Sequence, residues 1–311
     1  MRCRRVSPWI GIGLACVGTL LLVASAGTLG AQTAVQDPNA PVLGTITDSY
    51  RLSSQVWLAR LVPVAQRTFV LLAGIEVALS GLIYGLKRQH MDELASRFVL
   101  KCGLLSFLFA LITSFPLWIP KIVAGFAAAG EAAVGAQGTI NPSDVIDLGI
   151  ALAGKLLASF DVAGILRDPV MVIFGAICAV VVLFAYVIVA AQLVLVLVES
   201  YIVLSGGVLF LGFAAFRGTA GLTEGYLTYA LYVGVKIFLL YLVTGVGAAL
   251  SATWAAELQT APDILTGGAM EWHVIGGVVV FAIMVLRIPN SIAGRITSHP
   301  SFGIANALKN L

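Results

Sequence analysis

One stretch of the chain has the spacing of a phosphate-binding loop. Gly149-Ile-Ala-Leu-Ala-Gly154-Lys155-Leu156 sets two glycines apart by four residues and follows them with a lysine, the pattern that cradles nucleotide phosphates. Its last position speaks against that chemistry, because a Ser or Thr is needed there to hold magnesium and Leu156 stands instead. The stretch also has no strand before it, and it falls inside the amphipathic pattern of residues 143 to 160, on the side of the membrane where ATP is absent. His90, His273 and His299 are scattered without ligand spacing, and no Ser occupies a G-x-S-x-G turn. The chain therefore reads as a non-enzyme, with no catalytic, metal or cofactor site expected.

What remains are polar side chains inside apolar runs, which are costly in a membrane and so face a bundle interior, a cavity or one another. Glu76, Glu199 and Lys236 are the ionisable ones, and Gln192 is a fourth polar candidate. Lys236 has a bland reading, snorkelling to the cytoplasmic interface, and Glu199 another, a place at a span's end. Glu76 sits deeper in its run. It is expected either to pair with Lys236, the one basic residue inside a predicted span, or to line a polar path. On the same run Gly74, Ala78, Gly81 and Gly85 recur every three or four residues, a stripe expected to be a helix-packing face.

The composition demands a membrane. Of 311 residues, 59% are hydrophobic and 11% charged, against about 45 to 50% and about 25% in a soluble domain. The net charge of +3 comes from Arg2, Arg4 and Arg5, since without them 18 basic residues become 15 and balance 15 acids. No nucleic-acid-binding surface is implied. Those arginines, the apolar run Trp9 to Ala24 and Ala24-Ser25-Ala26 read as a signal peptide over residues 1–26, with a second cleavage site after Ala31 and an uncleaved anchor as the alternative. Beyond it only Cys102 and Cys178 remain, both in apolar runs, which excludes a disulfide framework.

Five spans are predicted, at about Phe69 to Leu86, Cys102 to Ile119, Val170 to Val198, Tyr226 to Ala252 and His273 to Leu286. Before them, residues 27–68 form an extracytoplasmic region whose stretch from Gln36 to Pro63 reads as an amphipathic helix on the membrane surface. Pro116 and Pro120 are expected to close the second span. Residues 143 to 160 begin at a good helix start, Asn141-Pro142-Ser143-Asp144. Their face of Val145, Ile146, Leu152, Leu156, Leu157 and Phe160 is too short to span and is expected to dock on a partner, the membrane surface or the chain's own bundle.

The run from Pro169 to Phe216 is apolar over about 47 residues, a helix of about 70 Å and more than twice the hydrocarbon thickness. Two crossings would place the basic end (Arg287, Arg295, Lys309) outside and the acidic residues 253–272 inside. One crossing followed by a re-entrant or broken segment at the Gly206-Gly207 hinge puts both on their expected sides. The fold is thus expected to be all-α, a polytopic membrane bundle of about five transmembrane helices with amphipathic and re-entrant segments. The mature N-terminus is predicted periplasmic. Lys87 to Lys101 and the tail 297–311 are predicted cytoplasmic, and Pro120 to Pro169 periplasmic.

The run Glu199-Ser-Tyr-Ile-Val-Leu-Ser-Gly-Gly-Val-Leu-Phe-Leu-Gly-Phe213, then Arg217-Gly-Thr-Ala-Gly and Tyr226 to Lys236-Ile-Phe-Leu, resembles the TrbL family of conjugative-transfer proteins. So do Asn141-Pro-Ser-Asp-Val-Ile-Asp-Leu-Gly149 and Arg287-Ile-Pro-Asn-Ser-Ile-Ala-Gly294, and the likeness extends over roughly residues 40 to 296, most of it the membrane domain 69–296. It implies a polytopic inner-membrane subunit of a type IV secretion system, a platform or channel that supports assembly and substrate passage without its own catalysis. It further implies homo-oligomers in contact with membrane lipid, other secretion subunits that include cytoplasmic ATPases, and DNA or protein cargo met only transiently. Many relatives carry a long polar C-terminal extension, whereas this sequence ends at Leu311. The rival reading is a small-solute transporter or channel, which also uses membrane charges and broken helices.

Overall fold

The computed structural model describes residues 42–86, 91–135, 141–158, 169–260, 264–298, 303–304 and 306. The signal peptide, the basic residues Lys87 and Arg88, Phe160 and most of the tail, all expected features of the sequence, lie outside them. Among the described residues there are six α-helices and no strands: α1 Val42–Leu86, α2 Met91–Val134, α3 Pro142–Ala158, α4 Pro169–Gly212, α5 Ala220–Thr260 and α6 Ile264–Ile296. All but α3 are long and apolar enough to cross a membrane. The protein is a multi-pass membrane protein.

Helix direction follows from which residues meet. Phe69 packs on Phe109, and Gln66 bonds Thr113, so α1 and α2 are antiparallel. Phe126, Gly130 and Val134 of α2 meet Gly234, Tyr241 and Gly245 of α5 in the same order, so those two are parallel. Gly207 against Tyr226 and Tyr186 against Ser251 make α4 and α5 antiparallel, as do Trp254 against Gly277 and Gly247 against Phe281 for α5 and α6. Hence α1, α4 and α6 run one way and α2 and α5 the other. The five helices of crossing length thus alternate in direction along the chain, and α4 is one of them.

Three expectations about element ends need correction. The predicted surface helix and first span are one 45-residue helix that runs through Pro63. Pro116 and Pro120 do not close α2, which continues to Val134 and packs along α5. A proline removes one backbone bond and leaves one carbonyl open, a loss that neighbouring helices can absorb inside a bundle. Nor does α4 hinge at Gly206-Gly207, which lie inside a helix of 44 residues.

The chain turns instead after Gly212, where α4 meets the α1 backbone so closely that a Cβ would lie 2.8 Å from the Ala65 carbonyl oxygen. A 3-10 turn, Phe213–Ala215, and an extended Phe216 follow. The open carbonyls at the helix end are met by hydroxyls: Thr219 donates to Phe213 O at 2.8 Å and Thr223 to Phe210 O at 2.7 Å.

Two cores result. One gathers Leu152, Leu156, Tyr186, Leu193, Ile237 and Phe281 from α3 to α6, so the amphipathic α3 docks on its own bundle. The other joins Phe69, Leu105, Phe115, Leu211 and Tyr226, where the α1–α2 hairpin wraps the α4–α5 turn. Each polar cluster described next sits on one of these helix junctions.

Candidate functional site: two charge clusters in the bundle

Glu76 is fully buried on α1 and lies between two cations. Its Oε1 is 2.6 Å from Lys101 Nζ of α2, whose side chain is 3% exposed. Lys101 also donates to Ser80 Oγ at 2.6 Å, and Ser80 donates to the Glu76 carbonyl at 2.6 Å, so one helical turn of α1 supplies both acceptors for the ammonium. The other carboxylate oxygen, Oε2, accepts the Arg217 backbone N–H at 3.3 Å and faces Arg217 Nε at 3.8 Å. The α4–α5 turn is thereby fastened to the α1–α2 hairpin.

Glu199 and Lys236 form the second cluster, between α4 and α5. Glu199 Oε2 is 2.8 Å from Lys236 Nζ, and Glu199 Oε1 accepts the Tyr229 hydroxyl at 2.7 Å. Lys236 Nζ lies 5.7 Å from the centre of the Tyr232 ring, within cation–π range. Tyr232 in turn stacks on Tyr229. An open groove of about 520 Å³ borders this cluster, lined by Glu199, Gly225, Thr228, Tyr229, Tyr232 and Thr297.

The expected Glu76–Lys236 pair is therefore not made: each of the two has a different partner. Lys101 and Arg217 complete the first cluster; by sequence the one falls in the predicted cytoplasmic loop and the other in the family-like stretch, and neither lies in a predicted span. A signal for Lys101 existed. If the first two spans form a hairpin, Glu76 and Ser80 on one and Lys101 on the other stand at matching heights. Gln192 is half-buried midway along α4.

The small-residue stripe does not pack inside this chain. Gly74, Ala78, Gly81 and Gly85 are exposed, and a Cβ on any of the three glycines would meet nothing within 4 Å. The buried face of α1 is the one that carries Phe69, Ala73, Glu76 and Ser80. Close packing occurs elsewhere, at Gly207, whose Cβ would strike the Tyr226 ring, and at Gly149, whose Cβ would lie 2.5 Å from Tyr186 Cβ. Gly149 opens the apparent phosphate loop, and the lysine of that loop, Lys155, donates to the Ala255 carbonyl at 3.4 Å. The motif is thus a contact surface of α3 with α4 and α5.

The profile of TrbL/VirB6 plasmid conjugal transfer proteins matches residues 73–288, a stretch that runs from α1 into α6 and holds both charge clusters. The chain belongs to the TrbL/VirB6 family. It is 26% identical to the conjugal transfer protein TrbL of Rhizobium radiobacter, over 98% of this chain and 73% of that protein. It is 24% identical to the probable conjugal transfer protein TrbL of Sinorhizobium fredii, over 81% of this chain and 63% of that protein. This TrbL chain thus spans about two thirds to three quarters of the length of those relatives.

Proposed function

We propose that the protein is an inner-membrane platform and channel subunit of a conjugative type IV secretion system, on which the envelope-spanning apparatus assembles and past which substrate moves. The observation that carries this reading is the family match across α1 to α6. The charge clusters support it. Glu76 with Lys101 and Arg217, and Glu199 with Lys236, close on one another between helices, as groups that hold a bundle together do. A solute path through the bundle would leave a fully buried group such as Glu76 to face the solute rather than two cations. The chemistry of transport then rests with separate cytoplasmic ATPases, and the protein acts without catalysis of its own, as an oligomer among other secretion subunits.

The orientation that goes with this reading has the mature N-terminus in the periplasm and the end of α6 in the cytoplasm, in keeping with Arg287 and Arg295 on α6. In-frame deletion of the gene from a conjugative donor is expected to abolish DNA transfer, with recovery on supplying the full-length protein in trans. Transfer at the original frequency without the gene would overturn the proposal. So would movement of a small solute by the purified protein alone in liposomes, which would favour a permease.

A further inference from the structure

We propose that Arg217 binds the phosphate of an anionic phospholipid on the flank of the bundle. Among the described ion pairs, one carboxylate, Glu76, faces two cations, Lys101 and Arg217, so these three groups together carry one formal positive charge. Lys101 is 3% exposed and cannot reach outward. Arg217, 31% exposed, can. Its contact to Glu76 is through Nε, and a guanidinium has four more N–H bonds on its terminal nitrogens, in the fork that fits phosphate oxygens. Arg97, one helical turn before Lys101 on α2, is also an exposed cation.

The surroundings choose the source of the phosphate. Leu82, Val99, Leu100 and Leu222, on the three helices that meet at the cluster, are all exposed apolar side chains. Acyl chains coat such a surface, and basic pockets between membrane helices hold anionic head groups. The inference stands apart from the protein's role in transfer.

The test uses the full-length protein in neutral detergent, titrated with phosphatidylglycerol, phosphatidylcholine, inorganic phosphate and a short single-stranded DNA. Thermal midpoint and lipid retention in native mass spectrometry are the readouts. Phosphatidylglycerol is expected to raise the midpoint and to be retained, and Arg217→Gln to weaken its binding about fivefold, which corresponds to about 1 kcal/mol for one basic residue at an anionic surface. Equal binding by Arg217→Gln, or an equal gain from phosphatidylcholine, overturns the proposal. A gain from phosphate or DNA at matched phosphate concentration, with none from phosphatidylglycerol, overturns it as well. If Arg217→Gln does not fold, Arg217→Met, which keeps the apolar stem and removes the charge, takes its place with the same two outcomes.

Discussion

The Glu76 carboxylate and the Lys101 ammonium meet at 2.6 Å between adjacent antiparallel helices, and both are sealed from solvent. A pair so placed gains little over an apolar pair of the same shape, since two charges have been taken out of water to make it. What it does is make each charge depend on the other, because removal of one partner leaves an uncompensated buried charge at a cost of about 3 to 5 kcal/mol. Arg217 extends that dependence to the α4–α5 turn through its backbone N–H and its side chain.

Glu76→Gln is therefore expected to lower the thermal midpoint and the cellular level of the protein steeply, by the equivalent of about 3 to 5 kcal/mol. Reversal of both charges, Glu76→Lys with Lys101→Glu, should recover part of the loss. Glu76→Lys with Lys236→Glu should recover none, because Lys236 is paired with Glu199. Scanning fluorimetry in one detergent and quantitative blotting would check this, and rescue by the Lys236 reversal would show that the partners had been misassigned.

The Glu199–Lys236 pair should matter less. The side chains are 26% and 10% exposed, and Glu199 keeps its bond from Tyr229 when the lysine is lost. Lys236→Gln is expected to cost about 1.5 kcal/mol, the lower end for a hydrogen bond to a charged group, and less than Lys101→Gln in the same assay. A larger loss at Lys236 would place the weight of the bundle on the wrong cluster.

At the apparent phosphate loop two glycines separate packing from ligand binding. Gly149→Ala would push a methyl to 2.5 Å from Tyr186 Cβ, which is held to the backbone and cannot swing aside. Overpacking of that kind costs about 1 to 3 kcal/mol. Gly154 is exposed on α3 with nothing within 4 Å, so Gly154→Ala should gain about 0.8 to 1 kcal/mol of helix propensity. A phosphate cradle would need both glycines. Equal damage from the two substitutions, together with nucleotide binding by the wild type that both variants lose, would restore the loop reading.

Much of this arrangement is legible in the chain. Long apolar runs give the five helices of crossing length, and the face of Val145, Leu152 and Leu156 announces that α3 must be covered. Helix ends are harder to read, because Pro63, Pro116 and Pro120 sit inside helices once neighbours or a bilayer stop water from rewarding a break. Partner choice is hardest. Glu76 and Lys236 are complementary in sign, but which cation reaches an acid depends on the register of helices, and Arg217 arrives through a turn placed by Gly212 against Ala65. The stripe of Gly74, Gly81 and Gly85 has the right period for packing and still faces outward, since the bulkier Phe69 and the charge at Glu76 claim the inner face.

The Gly206-Gly207 pair offers the last comparison, between two neighbours that look alike in sequence. Gly207 lies where α4 crosses α5, and a Cβ there would enter the ring of Tyr226, itself buried among Phe69, Phe115 and Leu211. Gly206 has nothing within 4 Å of its own Cβ position. If the pair were a hinge, Ala at either position should stiffen it and alter function alike. If it is a crossing point, Gly206→Ala should be neutral or stabilise by up to about 1 kcal/mol, whereas Gly207→Ala should destabilise by about 1 to 3 kcal/mol. Tyr226→Ala, which clears the ring, should then relieve the added cost of Gly207→Ala, so the double variant is less destabilised than the two single losses together. Thermal midpoints of the four proteins decide it, and strictly additive losses would mean that Gly207 and Tyr226 do not meet.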